Sequence, residues 1–492
     1  MENNNSLAKQ FNAGSLLRYA LPSILMMAVF SMYSIVDGMF ISRFVGQNAL
    51  AGLNIIFPVT NLLVAVTIMI AHGGNATISK YMGEGKAERA KQVFSSLVLV
   101  ALGFGVTLMA VGLPLVRQIS YALGANEATI EYSVAYGGTM LIFVPFAVLQ
   151  MLYQTFFVTA GKPQLGLILT LVSGGTNVLL DYIFIVPCNM GIGGAALATS
   201  LGQAIPAVFG TIYFFVRRNG ALSYVRPRIN RRELFGSLAN GSSEMLSNLA
   251  VAITTVMFNL LMCKFLGEEG ISAITIIQYT QFLLTSIFMG YSAGIAPIVG
   301  YKYGAKDTKQ QQLIFKISML FIGIFSVAIF LVAFFARGGL VSIFADPTKD
   351  PEVYNIAVAG LVLFAPSYLF AGYNIFASSY FTAFSNGFVS ALLSFMRTLV
   401  FLVLCLIILP AIWQVDGVWL AVPVAEALAL IMSIVYLVLY GKRYGKRYGY
   451  ALVGAKLKGD AQVTDNAVED VTPIEDTSVD DTRVDDDTSN EQ

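Results

Sequence analysis

Twelve apolar runs, most of them 20 residues or longer, follow one another between Leu16 and Tyr440. A helix of about 20 residues matches a hydrocarbon core of about 30 Å. Inside lipid every backbone N–H and C=O must be satisfied within the chain, so runs of this kind fold as spanning helices. Their expected limits are 16–41, 50–75, 91–115, 132–158, 163–187 and 193–217, then 234–265, 270–300, 311–336, 352–382, 386–412 and 417–440. The fold class is an all-α polytopic membrane protein with twelve transmembrane helices. Composition agrees: 12% of residues are charged, against about 25% in a soluble domain.

Lysine and arginine order the spans. With the first residues inside, the inner segments carry 22 of them and the outer loops five, so both termini are expected in the cytoplasm of a bacterial inner membrane. The polar leader MENNNSLAKQFNAG does not read as a cleavable signal. The chain also repeats. Gly73 corresponds to Gly294, Gly83 to Gly304 and Pro145 to Pro366, each 221 residues on. After two inserted residues Thr159 pairs with Thr382, Pro187 with Pro410 and Gly194 with Gly417. Two six-helix lobes follow, related by a parallel pseudo-two-fold axis along the membrane normal. They occupy 1–222 and 234–450, joined by a basic loop at 223–233. Residues 451–492 are acidic and poor in aromatics, and read as a disordered tail. The basic run GKRYGKRYGY before them is expected at anionic headgroups.

Charges inside the spans carry the functional signal, because a carboxylate at bilayer depth costs on the order of 3 kcal/mol. Asp37 near the outer end of the first span either caps backbone at the water interface or belongs to an ion-coupling or substrate site. Counting residues from the helix ends places Tyr33, Asp37, Asn177, Asp181, Thr199 and Gln203 in one outer slab of the first lobe. Depth alone does not make them converge, and lone polar residues in membrane helices are often only interhelical glue. Two acids at matched depth are harder to read that way. The repeat puts Phe258 and Leu404 at the corresponding positions of the second lobe. That lobe has its own charges: Arg397 and Glu426, which could pair, and Glu244, which has no obvious partner. Pro22 weakens the first span and makes it a hinge. Met257, Phe282, Met289 and Tyr368 are candidates to line a substrate cavity, with Gln203 and Glu244.

No GxxxxGK[ST] or HExxH is present, so neither nucleotide-driven pumping nor HExxH-type zinc hydrolysis is expected. Cys188, Cys263 and Cys405 read as small buried hydrophobes without a metal or redox pattern. The chain is expected not to be an enzyme, and to use no cofactor beyond a coupling ion, H+ or Na+. Its partners are expected to be small molecules and the bilayer, with no nucleic acid, and it reads as a monomer.

Three stretches, VDGMFISRFVGQNALAGLNIIFP from Val36, MIAHGGNATISKYMGEGKAERA from Met69 and TNVLLDYIFI from Thr176, resemble the multidrug and toxic compound extrusion (MATE) family in its MepA-like bacterial branch. The resemblance covers about 1–450. It implies a secondary antiporter that exports cationic amphipathic drugs by alternating access, driven by proton or sodium entry. It also implies an ion-coupling site at Tyr33, Asp37, Asn177, Asp181 and Thr199, with sodium, if used, at Asp37 and Asp181, and a bend at Pro22. Some branches use an acid of the seventh span, a role Glu244 could fill; the resemblance assigns nothing to His72. A flippase of lipid-linked sugars, or a flippase or exporter of other small molecules, from the same superfamily is the rival reading.

Overall fold

A computed structural model describes residues 6–44, 47–218, 220–228 and 230–450. The acidic tail lies outside the described residues. The first half contains α1 (Ala13–Phe44), α2 (Gln47–Gly83), α3 (Ala87–Ala122), α4 (Ile130–Thr159), α5 (Pro163–Ile185) and α6 (Gly191–Val216). The second contains α7 (Arg231–Gly304), α8 (Thr308–Phe335), the short α9 (Arg337–Ser342), α10 (Pro351–Phe364), α11 (Tyr368–Ala383), α12 (Gly387–Phe395) and α13 (Leu402–Tyr448). Among the described residues ten helical stretches are long and apolar enough to cross a bilayer. Two of them, of 74 and 56 residues, are each long enough for two crossings. The first breaks at Gly267, where φ is 66° and ψ is −147°, a conformation open to glycine and costly for other residues. The second breaks at Gln414, with φ 48°. Polar residues at both breaks, Glu268 and Glu269 in one and Asp416 in the other, suit a turn outside the hydrocarbon.

The prolines act unequally. Pro366 falls in a 3-10 turn, Ala365–Ser367, that separates α10 from α11. Its repeat partner Pro145 lies inside an unbroken α4, and α1 likewise runs continuously through Pro22. Of these repeat-related prolines, only Pro366 interrupts its helix.

The repeat is visible in the packing. A side chain on Gly83 would collide with the carbonyl of Tyr301, and one on Gly304 with the carbonyl of Lys80. Residues 80 and 301, like 83 and 304, are 221 apart, so this is one contact made twice about a pseudo-two-fold axis. It brings α2 and the end of α7 together backbone to backbone. The same end of the molecule gathers the basic loops. Arg89 pairs with Glu233, which also accepts from the Tyr81 hydroxyl at 3.0 Å. The N-terminal segment bridges the halves there: Ser6 Oγ donates to the Gly161 carbonyl at 3.1 Å, and the Phe11 amide donates to Gln310 Oε1 at 2.8 Å.

Two further expectations need correcting. The last span, expected to end at 440, ends at Lys442, and its helix continues beyond the span to Tyr448, where Gly449 (φ 69°) turns the chain back. Tyr450 is then fully buried against Phe315, Tyr380 and Phe384, so part of the basic run belongs to the core. Of the three cysteines only Cys405 is buried; Cys188 and Cys263 are exposed.

Candidate functional site

The outer-slab residues of the first lobe meet where α1, α4, α5 and α6 pack. Tyr33 and Asp37 stand one turn apart on α1, as do Asn177 and Asp181 on α5 and Thr199 and Gln203 on α6. Close helix packing brings them together: a Cβ at Gly174 of α5 would lie 3.1 Å from the Tyr33 ring, and one at Gly202 of α6 would lie 3.2 Å from Asn177 Cβ. Asp181 is 1% exposed. Its Oδ2 accepts from Asn177 Nδ2 at 3.1 Å, and the same amide nitrogen lies 3.2 Å from Thr199 Oγ1. The Asp37 carboxylate faces both Asp181 and Asn177. Tyr33, one turn earlier on the same helix, is near enough to Asp37 for the two to interact electrostatically.

Acceptors outnumber donors here. Asp37 Oδ1, Asp181 Oδ1, Asn177 Oδ1 and Gln203 Oε1 are all buried without a hydrogen-bond partner. Two carboxylates in a low-dielectric interior cannot both stay charged without a positive counterpart. The chemistry this donor set can perform is reversible capture of a small cation, a proton or a sodium ion held by hard oxygen atoms. No basic side chain pairs with either acid among the described residues. Nor do the described residues contain a cluster of three or more His, Cys, Asp or Glu able to hold a metal ion.

Tyr136 of α4 belongs to this site and is absent from the sequence-based set. It is buried and lies beside both Asp37 and Asp181. The signal was present: Tyr136 is six residues from the start of its helix and Thr199 eight from the start of its own, so the two lie at comparable depth.

The site reaches the second lobe through aromatic rings. Tyr33 packs edge-to-face on Phe30 at 5.2 Å, and Phe30 in turn on Phe282 of α7 at 6.4 Å. Of the other cavity candidates, Met257 is half-buried and Met289 exposed. Tyr368 is fully buried against Phe364, and its hydroxyl is without a partner among the described residues. In this conformation Tyr368 is part of the core.

Glu244 does have a partner. Its Oε1 lies 3.9 Å from His72 Nδ1 of α2, with Arg397 near enough to act on it electrostatically. Arg397 and Glu426 do pair, at 2.9 and 3.0 Å from Nε to the two carboxylate oxygens. Asn374 Nδ2 adds a bond to Glu426 at 2.7 Å. Arg397 sits in a π-helical turn, Met396–Phe401, between α12 and α13. At the positions matching Asp37 and Asp181, the buried Phe258 and the exposed Leu404 leave this lobe without an equivalent acid pair.

Ten helices long and apolar enough to cross a bilayer among the described residues, two of them long enough for two crossings, define a polytopic membrane protein. The MatE family model matches residues 22–183 and again 245–407, once in each half, and the chain belongs to this family of multidrug and toxic compound extrusion transporters. The multidrug export protein MepA of Staphylococcus aureus (strain MSSA476) is 23% identical over 424 residues, covering 85% of this chain and 92% of that protein. MepA of Staphylococcus haemolyticus is 25% identical over 374 residues, covering 73% and 80%. Among solved structures, a MATE transporter in complex with MaL6 superposes with a TM-score of 0.83 at 21% identity, covering 89% of this chain and 98% of its own. An outward-facing multidrug resistance MATE transporter superposes at 0.81 with 21% identity, covering 89% and 97%.

Proposed function

We propose that this protein exports cationic amphipathic compounds in exchange for protons or sodium ions, with Asp37 and Asp181 as the coupling pair. The single observation that carries the reading is the set of unpartnered buried acceptor oxygens around the two carboxylates. Binding a cation there neutralises the pair. A proton would also turn an acceptor into a donor, so the bonds of Asn177 to Asp181 and Thr199 could rearrange. Tyr33, Phe30 and Phe282 give the rearrangement a mechanical route to the other lobe. Pro22, which removes one backbone hydrogen bond of α1, provides the place to bend. The MepA relatives are named multidrug exporters, which supports drugs as the cargo. The acid of Glu244, on the face of α7 that meets α2, is the proposed contact for a cationic substrate.

The end that gathers the basic loops is the proposed cytoplasmic end, by the preference of Lys and Arg for that side. The lobes are in backbone contact there, through Gly83 and Gly304, which fits an outward-facing state. In alternating access the ion then enters from outside, closes the outer cleft and displaces the drug. The test is reconstitution into proteoliposomes without nucleotide. An imposed proton or sodium gradient should drive movement of a cationic dye, and Asp37→Asn should stop it at equal protein incorporation. Transport that requires ATP, or full activity in Asp37→Asn and Asp181→Asn alike, would overturn the reading.

A further inference from the structure

At the basic end, an open cavity of about 960 Å³ lies between the N-terminal segment, the start of α1, the turn between α4 and α5, and the end of α6. Four cationic side chains line it: Lys9, Arg18, Lys162 and Arg217. No Asp or Glu is among its lining residues. Among the described residues no carboxylate forms an ion pair with any of the four, although nine such pairs exist elsewhere in the molecule. Polar side chains of Ser15 and Gln164 complete the wall. A concentration of four positive charges around one cavity, without internal compensation, calls for an anion carrying hydrogen-bond acceptors.

One side of the cavity is apolar and points to what kind of anion. Ile168 lines it and is 53% exposed. Continuing into the span, Leu171 and Val172 of α5 and Leu21 and Leu25 of α1 are also exposed. These two helices pack on each other, so their exposed faces continue the cavity toward the hydrocarbon as an apolar track. A phosphate head with acyl chains matches both parts, and basic pockets between helix ends are where such heads bind.

We infer that this cavity binds the headgroup phosphate of an anionic phospholipid, with its acyl chains along α1 and α5. Free inorganic phosphate shares the recognised chemistry and lacks the chains.

The test uses the full chain in detergent, titrated with phosphatidylglycerol, phosphatidylcholine or inorganic phosphate and followed by native mass spectrometry. Phosphatidylglycerol should bind in preference to phosphatidylcholine, and phosphate at the same concentration should not displace it. Arg18→Gln combined with Lys162→Gln should raise the half-saturating lipid concentration about twenty-fivefold, taking roughly fivefold for each basic residue. Removing the same charge from the exposed connecting loop, by Arg226→Gln with Arg228→Gln, should leave binding unchanged. If the double pocket variant does not fold, Lys9→Gln and Arg217→Gln singly should each weaken binding about fivefold. Equal affinity for the two lipids, or equal weakening by pocket and loop variants, would overturn the proposal. Displacement by equimolar phosphate would show that the cavity reads phosphate alone and not lipid.

Discussion

Asn177 Nδ2 donates to Asp181 Oδ2 at 3.1 Å across one turn of α5, holding one carboxylate oxygen while the other, Oδ1, stays buried and unpartnered. The amide thus fixes the orientation of an acid whose remaining lone pairs face Asp37. The same nitrogen is shared with Thr199 Oγ1 at 3.2 Å, which links α5 to α6 at the level of the pair.

Loss of that amide should be felt in transport before it is felt in folding. Asn177→Ala leaves the carboxylate without its donor, and an unsatisfied buried group of this kind costs about 1–3 kcal/mol. Gradient-driven dye efflux in everted vesicles is expected to fall by between about five- and hundredfold, with membrane expression unchanged by immunoblot. Tyr136→Phe, which removes the hydroxyl beside both acids, should act in the same direction. Wild-type efflux in both variants would take Asn177 and Tyr136 out of the coupling machinery.

The Arg397–Glu426 pair should behave as a structural unit. Glu426 is 6% exposed and receives both Arg397 and Asn374. Arg397→Met strands the carboxylate and should destabilise the protein by about 3–5 kcal/mol. Adding Glu426→Met should recover much of that loss, since two apolar side chains need no partner. Thermal unfolding in detergent gives both numbers. Additive single and double effects would show that the two side chains do not stabilise each other.

Closure at the basic end depends on two residues without side chains. Gly83→Val and Gly304→Val each place methyl groups against a backbone carbonyl, of Tyr301 and Lys80 respectively. Neither helix can yield without separating the lobes. Spin labels at the exposed positions 86 and 309 should report a longer distance in either variant than in the parent. An unchanged distance distribution would mean that the contact is not what holds the halves together.

Glu244 offers a test of cargo charge. Glu244→Gln removes the carboxylate facing His72 and should weaken binding of a cationic dye about tenfold, equivalent to about 1.4 kcal/mol. A neutral dye of similar size should be affected much less. Fluorescence polarisation on the purified protein separates the two. Equal losses for both dyes would point to a role in packing α7 against α2.

Most of the architecture was legible in the sequence because it is set by local rules. Run length against bilayer thickness gives the crossings, and the 221-residue offset of Gly83 and Gly304 gives the two halves. Helical periodicity and depth also placed Asp37, Asn177, Asp181 and Thr199 in one slab. What depth does not contain is lateral position, which follows from how α1, α4, α5 and α6 cross. Only the tertiary structure could make the slab converge, add Tyr136 to it, and give Glu244 to His72 of α2, 172 residues earlier in the chain. The same holds for Tyr368 and Tyr450, whose chemistry suits a cavity wall or a headgroup layer but whose neighbours bury them in the second lobe. Spacing along a helix is fixed by its backbone hydrogen bonds. Contact between helices is fixed by interlocking side chains and glycine gaps drawn from distant parts of the chain, and those become adjacent only when the whole bundle is packed.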